Sequence, residues 1–351
     1  MKVKTFKRTF NFIEPAVTSR RVYTQRNSWM VEITDENNPQ RHGMGECAPL
    51  PRLSCDDIPD YENVLEWARI TIEESLNSGH DLDYVMTHFS DLLRPFPSIR
   101  FGFETALIDF FSDGTGILFD TPFSRGEEGI PVNGLVWMGC HRKMSARLEE
   151  KLSTGFHCIK IKVGAIDFDK EMDLLRRIRE RFSADEVTIR LDANGNFKTR
   201  NVLKKLEKLA KYDIHSIEQP IRQYQWKKMA RICKSSPIPI ALDEELTGVN
   251  LPWKKDELLD EICPQYLVLK PSLHGGFIGC NEWIEKAKAR GIGTWITSSL
   301  ESNVGLNAIA QFAAHVYGPD IKFHQGLGTG QLFSDNIEMP LELRGEYMWR
   351  K

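Results

Sequence analysis

The chain has 351 residues, 46 Lys and Arg against 49 Asp and Glu, a formal net charge of −3 and 41% hydrophobic residues. That composition suits a soluble globular protein of one large domain, or of a large and a small one. Near-neutral charge gives no argument for nucleic acid or an anionic membrane surface as partner, no run approaches the ~18 apolar residues of a membrane span, and the charged, discontinuous start is no signal peptide.

Alternation predicts strands over residues 2–13 and 29–34, and the run Gly-Met-Gly-Glu-Cys-Ala-Pro at 43–49 closes a third. Residues 14–27, with Arg20, Arg21 and Arg26, read as a polar mobile loop, either solvated or covering a site for an anion. Apolar residues three and four apart then predict helices over 57–77, 84–93 and 98–112. Sheet first and helices afterwards make an α+β module. From residue 130 strands and helices alternate, with strands expected at 130–138, 158–163, 187–192, 214–218, 238–243, 266–270, 293–297 and 321–325. Such alternation implies parallel pairing, and eight strands are enough to close a (β/α)8 TIM barrel. A doubly wound sheet is the competitor, but Asn-Gly-Leu at 133–135 is not its glycine-rich phosphate turn. The expected organisation is an α+β capping domain over 1–125, a barrel over 126–325, and a tail, 326–351, returning to the cap. Seven scattered cysteines without a Cys-X-X-Cys pair fit reduced thiols in a cytoplasmic protein.

The predicted strands end on charge. Lys160 and Lys162 lie two apart on one strand and project to the same side of the sheet. Asp192, Glu218, Asp243 and Lys270 follow at the ends of the next four strands, each about one βα unit on. Taken singly, each acid reads as a helix cap or solvated loop residue, and the lysines as an exposed strand face; Glu244 and Glu245 are left with that reading. As an ordered set they gather three carboxylates and three amines at the C-terminal mouth of a barrel. Three converging carboxylates need a cation, and all-oxygen ligation with room for water and substrate favours Mg2+ over Ca2+, with Mn2+ as a substitute. The amines and the ion are expected to depress one another's pKa, which suits a lysine to act as base. Asn194, in Asp-Ala-Asn-Gly, is equally a turn residue and a partner for ligand or substrate. His274 near the mouth reads as a bystander, while Leu50, Trp137, Met138 and Leu300 either line a cavity or pack the barrel top.

Lys160-X-Lys162, Asp192, Glu218, Asp243 and Lys270, in this order and with the Gly-X-Gly-Glu-X-Ala-Pro run, resemble the enolase superfamily in its muconate lactonizing enzyme subgroup, over essentially the whole chain. The seventh predicted strand ends in Thr-Ser-Ser rather than in the histidine of another subgroup. The segments 270–276, 297–305 and 326–333 are most similar to the o-succinylbenzoate synthase family of menaquinone biosynthesis, whose small carboxylate substrate loses water to form an aromatic ring. The resemblance implies Mg2+ on Asp192, Glu218 and Asp243, Lys162 as base and then acid, Lys160 stabilising charge, and Lys270 against the ring. It further implies that hydroxyls and backbone amides of Ser298 and Ser299 hold the distal carboxylate, with Gly328 and Thr329 beside them. An N-acylamino acid racemase or dipeptide epimerase, using both lysines, is the alternative on the same fold; the latter should carry Asp-X-Asp after the eighth strand, where Gly-Leu-Gly-Thr-Gly stands. A non-catalytic barrel stabilised by metal is the alternative of another class.

Overall fold

The computed structural model describes residues 1–17, 22–328 and 332–351. Arg20, Arg21 and Thr329 lie outside the described residues. Three antiparallel strands, β1 (Lys2–Val17), β2 (Val22–Asp35) and β3 (Asn38–Cys47), pack against helices α1 (Tyr61–Asn77), α2 (Leu82–Leu92) and α3 (Pro97–Phe111). The expected loop over 14–27 is largely strand. β1 and β2 pair to Val17↔Val22, with a register shift between Asn11 and Ala16 and with Tyr23, Arg26 and Ser28 buried. Its polar side chains are those of a sheet with one wet face.

α3 is buried on almost every side, because it lies between the sheet and the barrel helices. Glycines set that contact. A Cβ on Gly45 would stand 1.9 Å from the Gly102 carbonyl oxygen, and one on Gly43 2.1 Å from that of Ala106. The Gly-X-Gly pair is therefore a docking surface for α3.

Beyond it, seven strands form one parallel sheet: β5 (Gly134–Val136), β6 (Cys158–Lys162), β7 (Thr188–Asp192), β8 (Ile214–Glu218), β9 (Ile240–Leu242), β10 (Tyr266–Leu269) and β11 (Gly293–Ile296), paired in sequence order. The expected first strand divides, with β4 (Ile130–Pro131) set apart from β5. The expected eighth strand is not a regular one. Its place is taken by single parallel bridges, Val132↔Gln325 on one side and Thr297↔Gly326 on the other. Gln325 N donates to Pro131 O, and Gly326 N to Ile296 O, both at 2.8 Å. The ring closes all the same, through one short segment.

Helices α4 (His141–Ser153), α5 (Phe168–Arg179), α6 (Val202–Leu209), α7 (Trp226–Ser235), α8 (Pro252–Ile262), α9 (Pro271–His274), α10 (Gly276–Lys288) and α11 (Asn303–Tyr317) connect the strands, and their apolar faces form one core with the outward faces of the strands. Inside the barrel, Ala241, Val268 and Trp295 form a small cluster with Tyr266 and Phe323. The buried Arg190 guanidinium lies 4.5 Å from the Trp295 ring and 4.3 Å from Phe323. This is the floor beneath the mouth.

The tail divides. Near residues 332–335 it runs beside β1, where Ile13 N donates to Leu332 O and Ser334 N to Asn11 O. Strands β12 (Leu341–Arg344) and β13 (Tyr347–Arg350) then form a hairpin on β4. All seven cysteines are free, and among the described residues no helix is long and apolar enough to cross a membrane.

Candidate active site

Parallel register sets the site. Lys162 pairs with Asp192, and Asp192 with Glu218, so neighbouring strands deliver these groups to one level of the barrel. Asp243 and Lys270 follow directly on β9 and β10. Asp192, Glu218 and Asp243 are all buried, and each presents an oxygen within 4.8 Å of the others. Lys160 bonds Glu218 and stands 3.0 Å from Asp192 Oδ2. Lys162 Nζ donates to Asp192 Oδ2 at 2.6 Å and to Asn194 Oδ1 at 2.9 Å. Lys270 Nζ lies 2.6 Å from both oxygens of Asp243. Three strands separate β6 from β10, which puts Lys162 and Lys270 on opposite walls.

The electrostatics of Lys160 and Lys270 depart from the expected depression. Burial by itself lowers Lys160 and Lys270, but the facing acids outweigh it and push both up: Asp192, Glu218 and Asp243 for Lys160, Asp243 and Glu244 for Lys270. Burial would raise Asp192, yet Lys160 and Lys162 hold it far below the usual carboxylate range. Glu218 goes the other way, to about 8, because burial and the charges of Asp192 and Asp243 exceed the help from Lys160. Amines and acids here serve as each other's counter-ions. Glu218 Oε1 is buried with no hydrogen-bond partner among the described residues. Three converging carboxylates with an uncommitted buried oxygen fit a hard divalent cation.

Asn194 is both turn and contact. Its φ is +42°, its Oδ1 accepts from Lys162, and its Nδ2 donates to Glu244 Oε1 at 3.0 Å. Glu244 is not a solvated loop residue. It is buried beside the cavity, and burial with the charges of Asp243 and Asp192 raises it to about 7. Glu245 is buried as well, accepting from Gln219 Nε2 and Tyr224 N. The only sequence signal for either was position, directly after a ligand candidate.

The cavity above the acids is lined by Lys160, Lys162, Lys270, Asp192, Asn194, Ser298, Ser299 and Gly328, with Trp137, Leu50 and Leu300 among its apolar walls. Tyr23 and Leu53 from the cap, and Asn133, Leu135 and Trp295 from the barrel, line it as well; nothing in their own sequence context marked them. Met138 packs outside this lining. The backbone amides of Ser298 and Ser299 donate to Gly326 O at 3.1 Å and to Glu301 Oε2 at 2.5 Å, and the Ser298 hydroxyl donates to Gly326 O at 3.4 Å. His274 is buried, and its Nδ1 accepts from the Lys270 backbone N at 3.0 Å. Arg26 does not meet solvent: its guanidinium donates to Ser299 O and, at 2.6 Å, to Ala48 O.

The chain resembles known proteins over nearly its whole length. An o-succinylbenzoate synthase from Desulfotalea psychrophila (strain LSv54 / DSM 12343) is 45% identical, with 95% of each chain covered. The crystal structure of MenC from Desulfotalea psychrophila LSv54 superposes with a TM-score of 0.84 at 40% identity, covering 99% of both chains. A more distant relative, the L-Ala-D/L-Glu epimerase of Bacillus subtilis (strain 168), is 24% identical over 90% of this chain and 84% of its own. Residues 143–348 match the family model described as enolase C-terminal domain-like, and with it the chain belongs to the enolase superfamily.

Proposed function

We propose that this chain is an o-succinylbenzoate synthase, a carbon–oxygen lyase that dehydrates a succinyl-hydroxycyclohexadiene carboxylate in menaquinone biosynthesis. The observation that carries the reading is the 45% identity, over 95% of each chain, to a protein of that name. The pair Lys162 and Lys270 on opposite walls beside three converging acids supplies the groups that such chemistry needs.

In this reading Asp192, Glu218 and Asp243 would hold one Mg2+, with Mn2+ as a substitute. The ion would bind the substrate carboxylate, offset its growing charge, and share the acids with the ammonium groups of Lys160 and Lys270. Removing a proton α to a carboxylate creates a doubly charged enediolate, so fixed positive charge beside it is the main need. Neutral Lys162 takes the α-proton. Lys160 stays charged beside the carboxylate. Lys162 then returns the proton to the departing hydroxyl on the same face, so that water leaves and the ring becomes aromatic, a syn elimination. Lys270 lies against the opposite face of the ring as a cation–π partner. Asn194 orients Lys162, and the hydroxyls of Ser298 and Ser299, with Gly328 and Thr329, take the distal carboxylate. Residues 1–125 form the cap in this reading, with the start of the tail beside β1, and 126–325 the catalytic barrel, with the β12–β13 hairpin on β4.

Two opposed lysines equally suit an N-acylamino acid racemase or dipeptide epimerase, and the epimerase relative keeps that second reading in play. One assay separates them. Dehydration is followed by the absorbance change of the cyclohexadiene substrate with and without EDTA, and proton exchange by deuterium uptake into an N-acylamino acid. EDTA-sensitive dehydration is the expected outcome. Exchange without dehydration would make the chain a racemase, and thermal stabilisation by Mg2+ with neither reaction would make it a non-catalytic barrel.

A further inference from the structure

The cap grips the turn after β11 at two places. Arg26, on β2, is buried and donates to the Ser299 carbonyl, while its other terminal nitrogen holds Ala48 O at the end of the Gly-X-Gly-Glu-X-Ala-Pro run. Glu46 of the same run is also buried. It accepts from Ser302 N at 3.0 Å, Ser302 Oγ at 2.5 Å and Gly305 N at 3.0 Å, at the start of α11. Between the two anchors stands Leu300 at φ +65°, a left-handed conformation that a branched side chain adopts only under constraint. Glu301 holds the other side of the same turn, from Ser299 N to the hydroxyl of Ser272, two residues beyond Lys270. Ser298, Ser299 and Leu300 all face the cavity.

We infer that Arg26 is a positioning residue: with Glu46 it keeps the 299–302 turn in its strained form, so that docking of the cap sets the affinity for the arm of the substrate that reaches Ser298 and Ser299. A strained turn persists only where its surroundings over-determine it, and here the cap adds Arg26 and Glu46 to the barrel's own hold through Glu301 and Ser272. Among the described residues the hydrogen bonds of Arg26 go to main-chain oxygens, so its effect on a ligand runs through the backbone of Ser299. The inference rests on the reading of the two serines as the seat of the distal carboxylate.

The test is Arg26→Met, which keeps the length and removes every donor. Binding of o-succinylbenzoate, which carries the succinyl arm, is compared with binding of benzoate, which lacks it, by titration. Backbone hydrogen exchange of the segment 299–303 is measured alongside. The expected result is a rise in Kd of at least about tenfold for o-succinylbenzoate, against about twofold or less for benzoate, with faster exchange in the segment. Equal weakening of both ligands, or unchanged exchange, overturns the inference. Failure of the wild-type chain to bind o-succinylbenzoate would instead overturn the reading of the serines, while the exchange measurement still judges the anchor. Should Arg26→Met not fold, Arg26→Lys keeps the charge and can serve only one of the two carbonyls. It should lose selectivity in the same direction, and an unchanged selectivity there counts against the inference equally.

Discussion

Lys162 and Asp192 are register partners on neighbouring parallel strands, and Nζ stands 2.6 Å from Oδ2. The amine meets the acid cluster from one side only, with Asn194 as its second partner. Lys162→Ala is expected to lower kcat by about 10² to 10⁴, the range for losing a positioned base. The fold should survive, because Lys160 still faces Asp192. Activity by absorbance and folding by circular dichroism check this, and activity near wild type would remove Lys162 from the base role.

Glu218 differs from the other two acids in keeping one buried oxygen without a hydrogen-bond partner among the described residues. Glu218→Gln keeps the shape and removes the charge. It should raise the half-saturating Mg2+ concentration by about tenfold or more, with activity recovering at high Mg2+. Thermal shift against Mg2+ reads the same change without substrate. An unchanged Mg2+ dependence in both measurements would exclude Glu218 as a ligand.

Asn194 stands between Lys162 and Glu244, accepting from one and donating to the other. Its amide orientation is thereby fixed, and with it the direction in which the amine points. Asn194→Leu should cost about 10- to 100-fold in kcat, as expected for a hydrogen bond to a charged group, with a smaller change in KM. A loss confined to KM would make Asn194 a binding group only.

The charged strand ends were legible because each side chain's direction follows from strand periodicity, and because parallel βα units repeat at a nearly constant pitch. Arg26 was not legible. Its partners are backbone oxygens from elsewhere in the chain, which no side-chain pattern encodes, so a buried arginine looked like a loop residue. Glu244 was misread for a related reason: an acid beside a ligand candidate looks solvated unless Asn194 is known to reach it. The eighth strand was overestimated because residues 321–325 have strand-like composition, whereas closure needs only the two bridges at Gln325 and Gly326. The pKa directions of Lys160 and Lys270 were reversed because the sequence argument weighed the amines against each other and not against the acids they face.

Gly45 and Gly102 fix how closely β3 approaches α3. Gly45→Ala would place a methyl group against main chain, which cannot move without shifting the helix, so about 1–3 kcal/mol of destabilisation is expected. Thermal unfolding measures it. Because α3 also packs against α9 and α10 on the barrel, the variant should lose activity along with stability. A variant as stable as wild type would show that the contact is slack.

Asp56 gives the fold a pH dependence independent of the catalytic groups. It is 1% exposed and accepts from Ser98 N and Oγ at 2.7 Å near the start of α3. Burial pushes its carboxyl from 3.8 up to about 6, and the hydrogen bonds from Ser98 offset only part of the rise. Because the folded pKa lies above the unfolded one, the folded state binds more protons between these values. Stability then falls as pH rises through the window, and the loss is complete above about 6. The two-unit difference corresponds to about 3 kcal/mol at most. Asp56→Asn keeps an acceptor for Ser98 and removes the titration. Its Tm relative to wild type should therefore climb between about pH 4 and 7 and level off beyond, which melts at unit pH intervals would record. A Tm difference that stays flat across that range would mean the carboxyl ionises in place without strain, and that the helix start with its Ser98 donors fully compensates the buried charge.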